Sequence, residues 1–405
     1  MNLLFAWRYF KSKKSTTAIN IIAWISVLAI AVGTASLIIV LSVFNGFESL
    51  VKNLYADFYA DIKISAISGK TIELLPKNIS DLQNIHGVSA LSLIAEEKAF
   101  LVNGENHTTV FLKGVDANYT HTNKITQHII RGKFELGTAA SPQIVVGSGI
   151  ENAAGLDVEK SIYPVTLYLP NKNAKTFTNT DALNAYNVIA SGTFMVQQDF
   201  DDKYVFSNLA FLKYMLDMGA NEYSSVEIKI DKNFDADNVK KSIQHFLGNN
   251  YLVQTRYEQN QSLFTVMTIE RWVIYAILSI ILIIAAFNMI GALTMLVLEK
   301  QKDIAVLKAI GLNETRIQKI FLSEGLVLAG IGAISGMLIA TIICLLQLKF
   351  KLIKLAGGTF LIDYYPVQLN YTDYILVSIT VIVIALIAAW IPSRKASLQE
   401  FSLKS

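Results

Sequence analysis

Glu299-Lys300-Gln301-Lys302-Asp303-Ile304-Ala305-Val306-Leu307-Lys308-Ala309-Ile310-Gly311 is a charged stretch of good helix formers closed by a glycine. Residues 272–298 before it and 325–348 after it are apolar runs of about 27 and about 24 residues, each long enough to cross a hydrocarbon core of ~30 Å. The stretch therefore reads as a short helix joining two membrane spans on one side of a bilayer. Within it, Glu299 and Lys302 are spaced to pair, and Val306, Leu307 and Ile310 form an apolar stripe. Gly311 fits a left-handed stop, and Asn313 with Glu314 fits the cap and first turn of the next helix.

Beyond these two runs, residues 20–44 and 374–391 are also apolar, whereas 51–271 has the composition of a water-soluble domain. Of the 405 residues 53% are hydrophobic and 17% charged, and the mean hydropathy is +0.42, against about 25% charged for an ordinary soluble domain. The expected fold class is an α-helical membrane protein with four transmembrane helices and a large α+β extracytoplasmic domain inserted between helices one and two. A net charge of +3, evenly spread, gives no reason to expect nucleic-acid binding. Cys344 lies in the third run and reads as a small membrane-buried hydrophobe, so the insert has neither a disulfide nor a cysteine-based metal site.

Orientation follows from basic residues near the span ends. Arg8, Lys11, Lys13 and Lys14 precede the first run, Lys300, Lys302, Lys308, Arg316 and Lys319 lie between the second and third, and Arg394 and Lys395 follow the fourth. All three clusters are expected in the cytoplasm, with the insert outside; Lys349, Lys351 and Lys354 run against this rule. Leu3, Leu4, Trp7 and Phe10 beside Arg8 and Lys11 suit a segment lying on the cytoplasmic membrane surface, or simply a basic flank. The first run is too long for the core of a cleaved signal peptide. The expected segments are an amphipathic N-terminus at 1–18, spans at 19–44, 272–298, 320–348 and 372–391, a soluble domain at 45–256 and a stalk at 257–271. A connecting helix and turn at 299–319, an outer loop at 349–371 and a tail at 392–405 complete them.

In the insert, 61–65, 98–102, 108–112, 143–146, 163–169, 187–190, 204–206 and 226–230 read as strands. Residues 78–84, 208–218 and 236–247 read as helices, and the turn-rich patch 171–180 as a loop excursion. Residues 257–270 carry Leu263, Val266, Met267 and Glu270 along one side, which predicts a stalk continuing unbroken into the second span.

Motifs for chemistry are missing. Ser68-Gly69-Lys70-Thr71 copies the end of a phosphate loop, but Ile64 stands where its first glycine belongs. His86, His107, His121, His128 and His245 have no metal-ligand spacing, and Gly147-Ser148-Gly149 is one position short of a nucleophile elbow. No ionisable residue sits at mid-depth in the apolar runs, which disfavours a self-powered carrier. Asn288 is the strongly polar exception and suits a hydrogen bond between helices or a ligand contact. Gly332 and Gly336 have the spacing for close helix packing, within the chain or across a dimer.

Asn45-Gly46-Phe47-Glu48, Ala286-Phe287-Asn288, Glu299-Lys300, Asp303-Ile304-Ala305, Lys308-Ala309-Ile310-Gly311 and the glycine-rich third run resemble the permease of lipoprotein-releasing ABC transporters. That group lies within the four-span superfamily that includes macrolide-type exporters and the cell-division permease. Gly114-Val115-Asp116, residues 147–156 and Ser191-Gly192-Thr193-Phe194 resemble landmarks of its periplasmic core, so the likeness covers nearly the whole chain. It implies a non-enzymatic permease in a bacterial inner membrane, with no cofactor of its own and with ATP and Mg on a separate ATPase subunit.

In that reading Glu299, Lys300, Asp303, Val306, Leu307, Lys308 and Gly311 belong to a coupling helix gripped by the ATPase, and Glu299→Ala with Asp303→Ala would uncouple hydrolysis from release. Two permease chains, identical or related, would assemble with two ATPases. An acylated lipoprotein would enter between the first two spans and pass to a periplasmic carrier, with Ile39, Val43, Phe44, Phe47, Leu263, Val266, Met267 and Ile274 as the lipid-contacting wall. The alternatives are a small-molecule or peptide exporter, or a non-transporting regulator of a wall hydrolase.

Overall fold

In a computed structural model, the structure describes residues 17–159, 164–170, 183–355 and 362–398. The expected N-terminal surface segment, the 171–180 loop and the end of the tail lie outside these. In chain order the labelled helices are α1 (Thr17–Phe58), α2 (Pro76–Gln83), α3 (Leu209–Met215), α4 (Ala236–Leu247), α5 (Arg256–Gln259), α6 (Gln261–Glu299), α7 (Gln301–Ala309), α8 (Glu314–Phe350) and α9 (Tyr371–Leu398). The chain divides into a helical unit (Met1–Leu50, Thr265–Leu355, Tyr364–Ser405) and a second unit (Val51–Phe264, Ala356–Asp363).

Helices α1, α6, α8 and α9 are each long and apolar enough to cross a membrane. Their shared interior is made by Leu37, Ile38 and Leu41 of α1, Leu282, Met289 and Leu293 of α6, Leu328, Ala333 and Ala340 of α8, and Val377, Ala385 and Ala389 of α9. Alanine and glycine recur in this interior because helices in lipid gain from close van der Waals approach rather than from expelling water. A Cβ on Gly332 would lie 2.9 Å from that of Ile30, and one on Gly336 would lie 2.4 Å from the Ala31 carbonyl oxygen. The glycine pair of α8 thus packs on α1 of the same chain.

Helix α1 continues to Phe58, well past the apolar run that ends at 44. Asn45-Gly46 resembles a helix end in sequence. Here Gly46 stays helical, and its missing side chain makes room for another backbone.

The strands of the second unit are β1 (Ile62–Ala66), β2 (Ile72–Glu73), β3 (Val88–Asn103), β4 (Asn106–Val115), β5 (Ile129–Gly132), β6 (Gln143–Gly147), β7 (Val165–Pro170), β8 (Leu183–Phe194), β9 (Tyr204–Asn208), β10 (Glu222–Tyr223), β11 (Ser225–Ile230) and β12 (Tyr251–Thr255). Ten of them form one sheet in the order β12-β1-β11-β3-β4-β9-β6-β8-β5, with β7 joining β3 to β8. That extra pairing closes β3-β4-β9-β6-β8-β7 into a ring filled by Leu101, Leu112, Ile144, Leu167, Val188 and Val205. The open part, β12-β1-β11-β3, packs Ile62, Ile64, Val226, Ile228 and Val253 against Leu82 of α2 and Val239 and Ile243 of α4.

The two cores are joined through β3, whose first half pairs with β11 and whose second half pairs with β4. Ser68-Gly69-Lys70-Thr71 is a bend after β1 with Gly69 at φ +90°, and Lys70 pairs with Glu97 at 2.8 Å. Among the described residues no group of three or more metal-ligating side chains occurs.

The stalk differs from expectation. Thr255 and Glu258 form a reciprocal capping box that starts the one-turn α5, and the helix breaks at Asn260 before α6 begins. Arg256 then donates to the Asp61 carboxylate and, at 3.2 Å, to the Tyr59 carbonyl, joining the end of α1 to the start of α5. Nearby, Phe58 stacks on Phe200 at 4.0 Å and Tyr257 on Phe264 at 5.1 Å. Beneath Phe58, Lys113 of β4 reaches across β3 to Glu227 of β11 at 2.6 Å, with both side chains 3% exposed.

Candidate functional site

At the α7 end of the helical unit, sequence and structure agree on a short helix with defined limits. Gly311 has φ +94° and donates to the Lys308 carbonyl, while Leu312 donates to the Leu307 carbonyl; together these close the Schellman pattern that terminates α7. The Asn313 side chain accepts from Arg316 N–H at 3.1 Å and starts α8.

Glu299 is the last residue of α6, and Lys300 is the break before α7. The pair that forms is Lys300–Asp303, at 3.4 Å, rather than Glu299–Lys302. Ile304, which the stripe reading left out, is buried with Val297, Ile317, Phe321 and Ala396 and holds α7 against α6, α8 and α9. Lys308 donates to the Ser397 carbonyl at 2.9 Å and adds a second tie to α9.

With Ile304 turned inward, Lys302, Val306, Ala309 and Ile310 are turned outward, and Val306 and Ile310 are 56% and 72% exposed. Leu307 is half-buried, so the large outward apolar side chains are Val306 and Ile310, with Ala309 between them. Glu324 of α8 is also buried, and neither of its carboxylate oxygens has a hydrogen-bond partner among the described residues. Its position beside the first apolar residues of a span hid it among ordinary flanking charges.

The opposite end centres on Asp373 in the first turn of α9, which is 2% exposed. One carboxylate oxygen accepts from Asn45 of α1 at 2.5 Å, and the other accepts from Arg271 of α6 at 2.6 Å. Asn45 also donates to the Gln368 carbonyl at 3.4 Å, and Gln368 N–H donates to the Ser42 carbonyl at 2.9 Å. Phe47 packs edge-on against Tyr365. One carboxylate thereby joins three membrane helices, and the 365–370 segment lies along α1.

Sequence reasoning marked Asn45-Gly46-Phe47 as a landmark, with Phe47 also a candidate lipid contact. Its chemistry depends on Asp373, more than 300 positions away, and no local spacing signals that.

Gly46 is the tightest point of this arrangement, since a Cβ there would lie 2.4 Å from the Pro366 carbonyl carbon and oxygen. Gly46→Ala is expected to lower stability by about 2 kcal/mol through forced displacement of that backbone. Gly330→Ala, where a Cβ meets nothing within 4 Å, is the matched control and is expected to be neutral or slightly stabilising. Thermal unfolding of the two variants in the same detergent checks the difference, and equal melting temperatures would contradict it.

The expected lipid-contacting residues do not share one environment. Ile39 packs into the helical interior, Phe47 is engaged with Tyr365, and Val43, Phe44, Leu263, Met267 and Ile274 are half-buried. Val266 is exposed. Asn288 is exposed on α6 and makes no side-chain hydrogen bond among the described residues, so it does not pack helices within this chain.

Residues 23–246 match the MacB-like periplasmic core domain, and residues 275–401 match the FtsX-like permease C-terminal family. The chain is 25% identical to the lipoprotein-releasing system transmembrane protein LolC of Neisseria meningitidis, over 97% of this chain and 96% of that one. It is 26% identical to the corresponding LolE protein of Haemophilus influenzae, again over 97% of this chain and 96% of the relative. The periplasmic region of MacB from Actinobacillus actinomycetemcomitans aligns at 12% identity and a TM-score of 0.37, covering 53% of this chain and 97% of that one. A MacB-like core matching more than half of the sequence, followed by an FtsX-like region over α6 to α9, places this chain in the family of FtsX-like permeases with a MacB-like periplasmic core domain.

Proposed function

We propose that this chain is the permease subunit of an ABC transporter of the lipoprotein-release type. It would use a separate ATPase, which carries ATP and Mg, to extract acylated proteins from a bacterial inner membrane and pass them to a periplasmic carrier. The observation that carries this reading is α7. It is stopped at both ends and pinned on one side by Ile304 and Lys308, and it presents Val306 and Ile310 on the other. An apolar face on a short rigid helix, placed where two apolar helices end, suits a protein partner that pushes on it.

Full-length similarity to both LolC and LolE supports the release branch and a pair of permease chains. In this reading the α7 end faces the cytoplasm, as the surrounding lysines and arginines favour, and the MacB-like domain faces the periplasm. Helices α1 and α6 would carry motion from one side to the other.

Val306→Asp with Ile310→Asp tests the coupling role, since both side chains are exposed and α7 keeps its inner contacts. Each added charge costs about 2 kcal/mol or more when buried in an interface, so association with the ATPase is expected to fall at least tenfold. Copurification with the ATPase and ATP-driven release from proteoliposomes are expected to be lost, with membrane insertion unchanged. Retained release would refute the assignment of α7 as the coupling element.

A further inference from the structure

The last two residues of α8 and the turn that follows combine charge with apolar bulk. Lys349-Phe350-Lys351-Leu352-Ile353-Lys354 are all exposed, and Phe350, Leu352 and Ile353 are 57%, 66% and 58% exposed. Lys349 lies over the Phe350 ring at 5.4 Å and Lys351 over the Tyr364 ring at 4.0 Å. Among the described residues none of the three lysines pairs with a carboxylate.

The turn is held in one shape from inside. The buried Gln347 side chain donates to the Ile353 carbonyl at 3.0 Å and the Tyr365 carbonyl at 3.2 Å, and accepts from Ile353 N–H at 2.9 Å. Tyr365 N–H donates to the Ile353 carbonyl at 3.1 Å. Lys351 caps α8 in the left-handed region at φ +50°, where glycine is the usual residue. With its backbone satisfied inward, the turn presents only its side chains outward.

Its position fixes what it faces. The turn ends a helix long and apolar enough to cross a membrane, at the end away from α7. Arg271 and Asp373 tie the starts of α6 and α9 together at this same end, and beside them Trp272 and Tyr371 are 57% and 77% exposed. Such aromatic residues mark the level where hydrocarbon meets water. We infer that residues 349–354 seat an anionic phospholipid of the leaflet at this end. The three ammonium groups take its phosphate, and Phe350, Leu352 and Ile353 sink among its acyl chains. This gives a role to lysines that run against the orientation rule. One Gln347 amide holds both Ile353 and Tyr365, and Tyr365 meets Phe47 of α1, so a head group seated here also steadies the 365–370 segment against α1.

The full chain with Cys344→Ala and Leu352→Cys, carrying an environment-sensitive fluorophore at 352, tests this in phosphatidylcholine vesicles doped with brominated lipid. Brominated phosphatidylglycerol is expected to quench about threefold more than the same fraction of brominated phosphatidylcholine, through attraction of the lysines to its net charge. Lys349→Gln, Lys351→Gln and Lys354→Gln together are expected to abolish that preference while both lipids still quench and the melting temperature in phosphatidylcholine is kept. The matching three Lys→Arg changes are expected to retain it. Equal quenching of the parent by the two lipids overturns the anionic selectivity, and quenching by neither overturns the membrane placement. A preference that survives in the glutamine variant shows that these lysines are not the seat. Millimolar inorganic phosphate is expected to leave the preference unchanged; its loss there would assign the lysines to a free anion and overturn the lipid.

Discussion

Arg271→Ala is expected to destabilise the helical unit by about 3 kcal/mol or more, since it leaves the buried Asp373 carboxylate with Asn45 as its one side-chain partner among the described residues. Asn45→Ala is expected to cost less, on the order of 2 kcal/mol, because the charge pair survives and only one hydrogen bond to an ionised group is lost. In an Asp373→Asn background the Arg271→Ala penalty is expected to shrink to about 1 kcal/mol, because a neutral amide tolerates burial far better than a carboxylate. Asp373→Asn leaves one acceptor oxygen where the carboxylate had two, and where that oxygen stays with Arg271, Asn45 turns its own oxygen inward and gives up the Gln368 carbonyl. A double-mutant cycle on unfolding midpoints in detergent measures the coupling. A coupling energy near zero would mean that the two arms on Asp373 are incidental contacts.

The four apolar helices, α7 with its glycine stop and the Asn313 cap were legible because each depends on neighbours within one or two turns. So was α4, where Val239 and Ile243 face the core at helical spacing. Three features were not. Gly46 resembles a helix end until Pro366 is seen lying against it. Asp373 resembles an ordinary first-turn acid until Asn45 and Arg271 converge on it. The division of labour along β3 depends on β7 returning to pair with residues 100–102, a long-range pairing that alternation within the strand does not encode. The α7 face was half legible: Val306 and Ile310 do face outward, but Ile304, on the opposite side, anchors the helix.

The buried pair in the second unit carries the other large expected effect. Burial alone would lower the Lys113 pKa, but Glu227, with lesser help from Tyr119 and Glu96, holds it well above the usual lysine value. Lys113 is thus charged in the folded state at every physiological pH. Because its folded pKa is raised, the stability it contributes is fully present below about pH 10.4 and is lost only as pH rises through the folded value. Between pH 7 and pH 9 this lysine is therefore expected to add no pH dependence to unfolding.

Glu227→Ala removes the counter-ion and leaves an ammonium group enclosed by Phe58 and Tyr119, which is expected to cost about 4 kcal/mol. The apolar double variant Lys113→Met with Glu227→Leu removes both desolvation penalties and is expected to fall within about 1 kcal/mol of the parent, or above it. Amide exchange on β4 and β11, with thermal unfolding of the full chain, distinguishes the two. If the double variant loses as much protection as Glu227→Ala, the pair is holding the strands by its specific geometry, and the charge argument fails. Recovery in the double variant would show that the penalty belongs to an isolated charge beneath the aromatic residues at the end of α1.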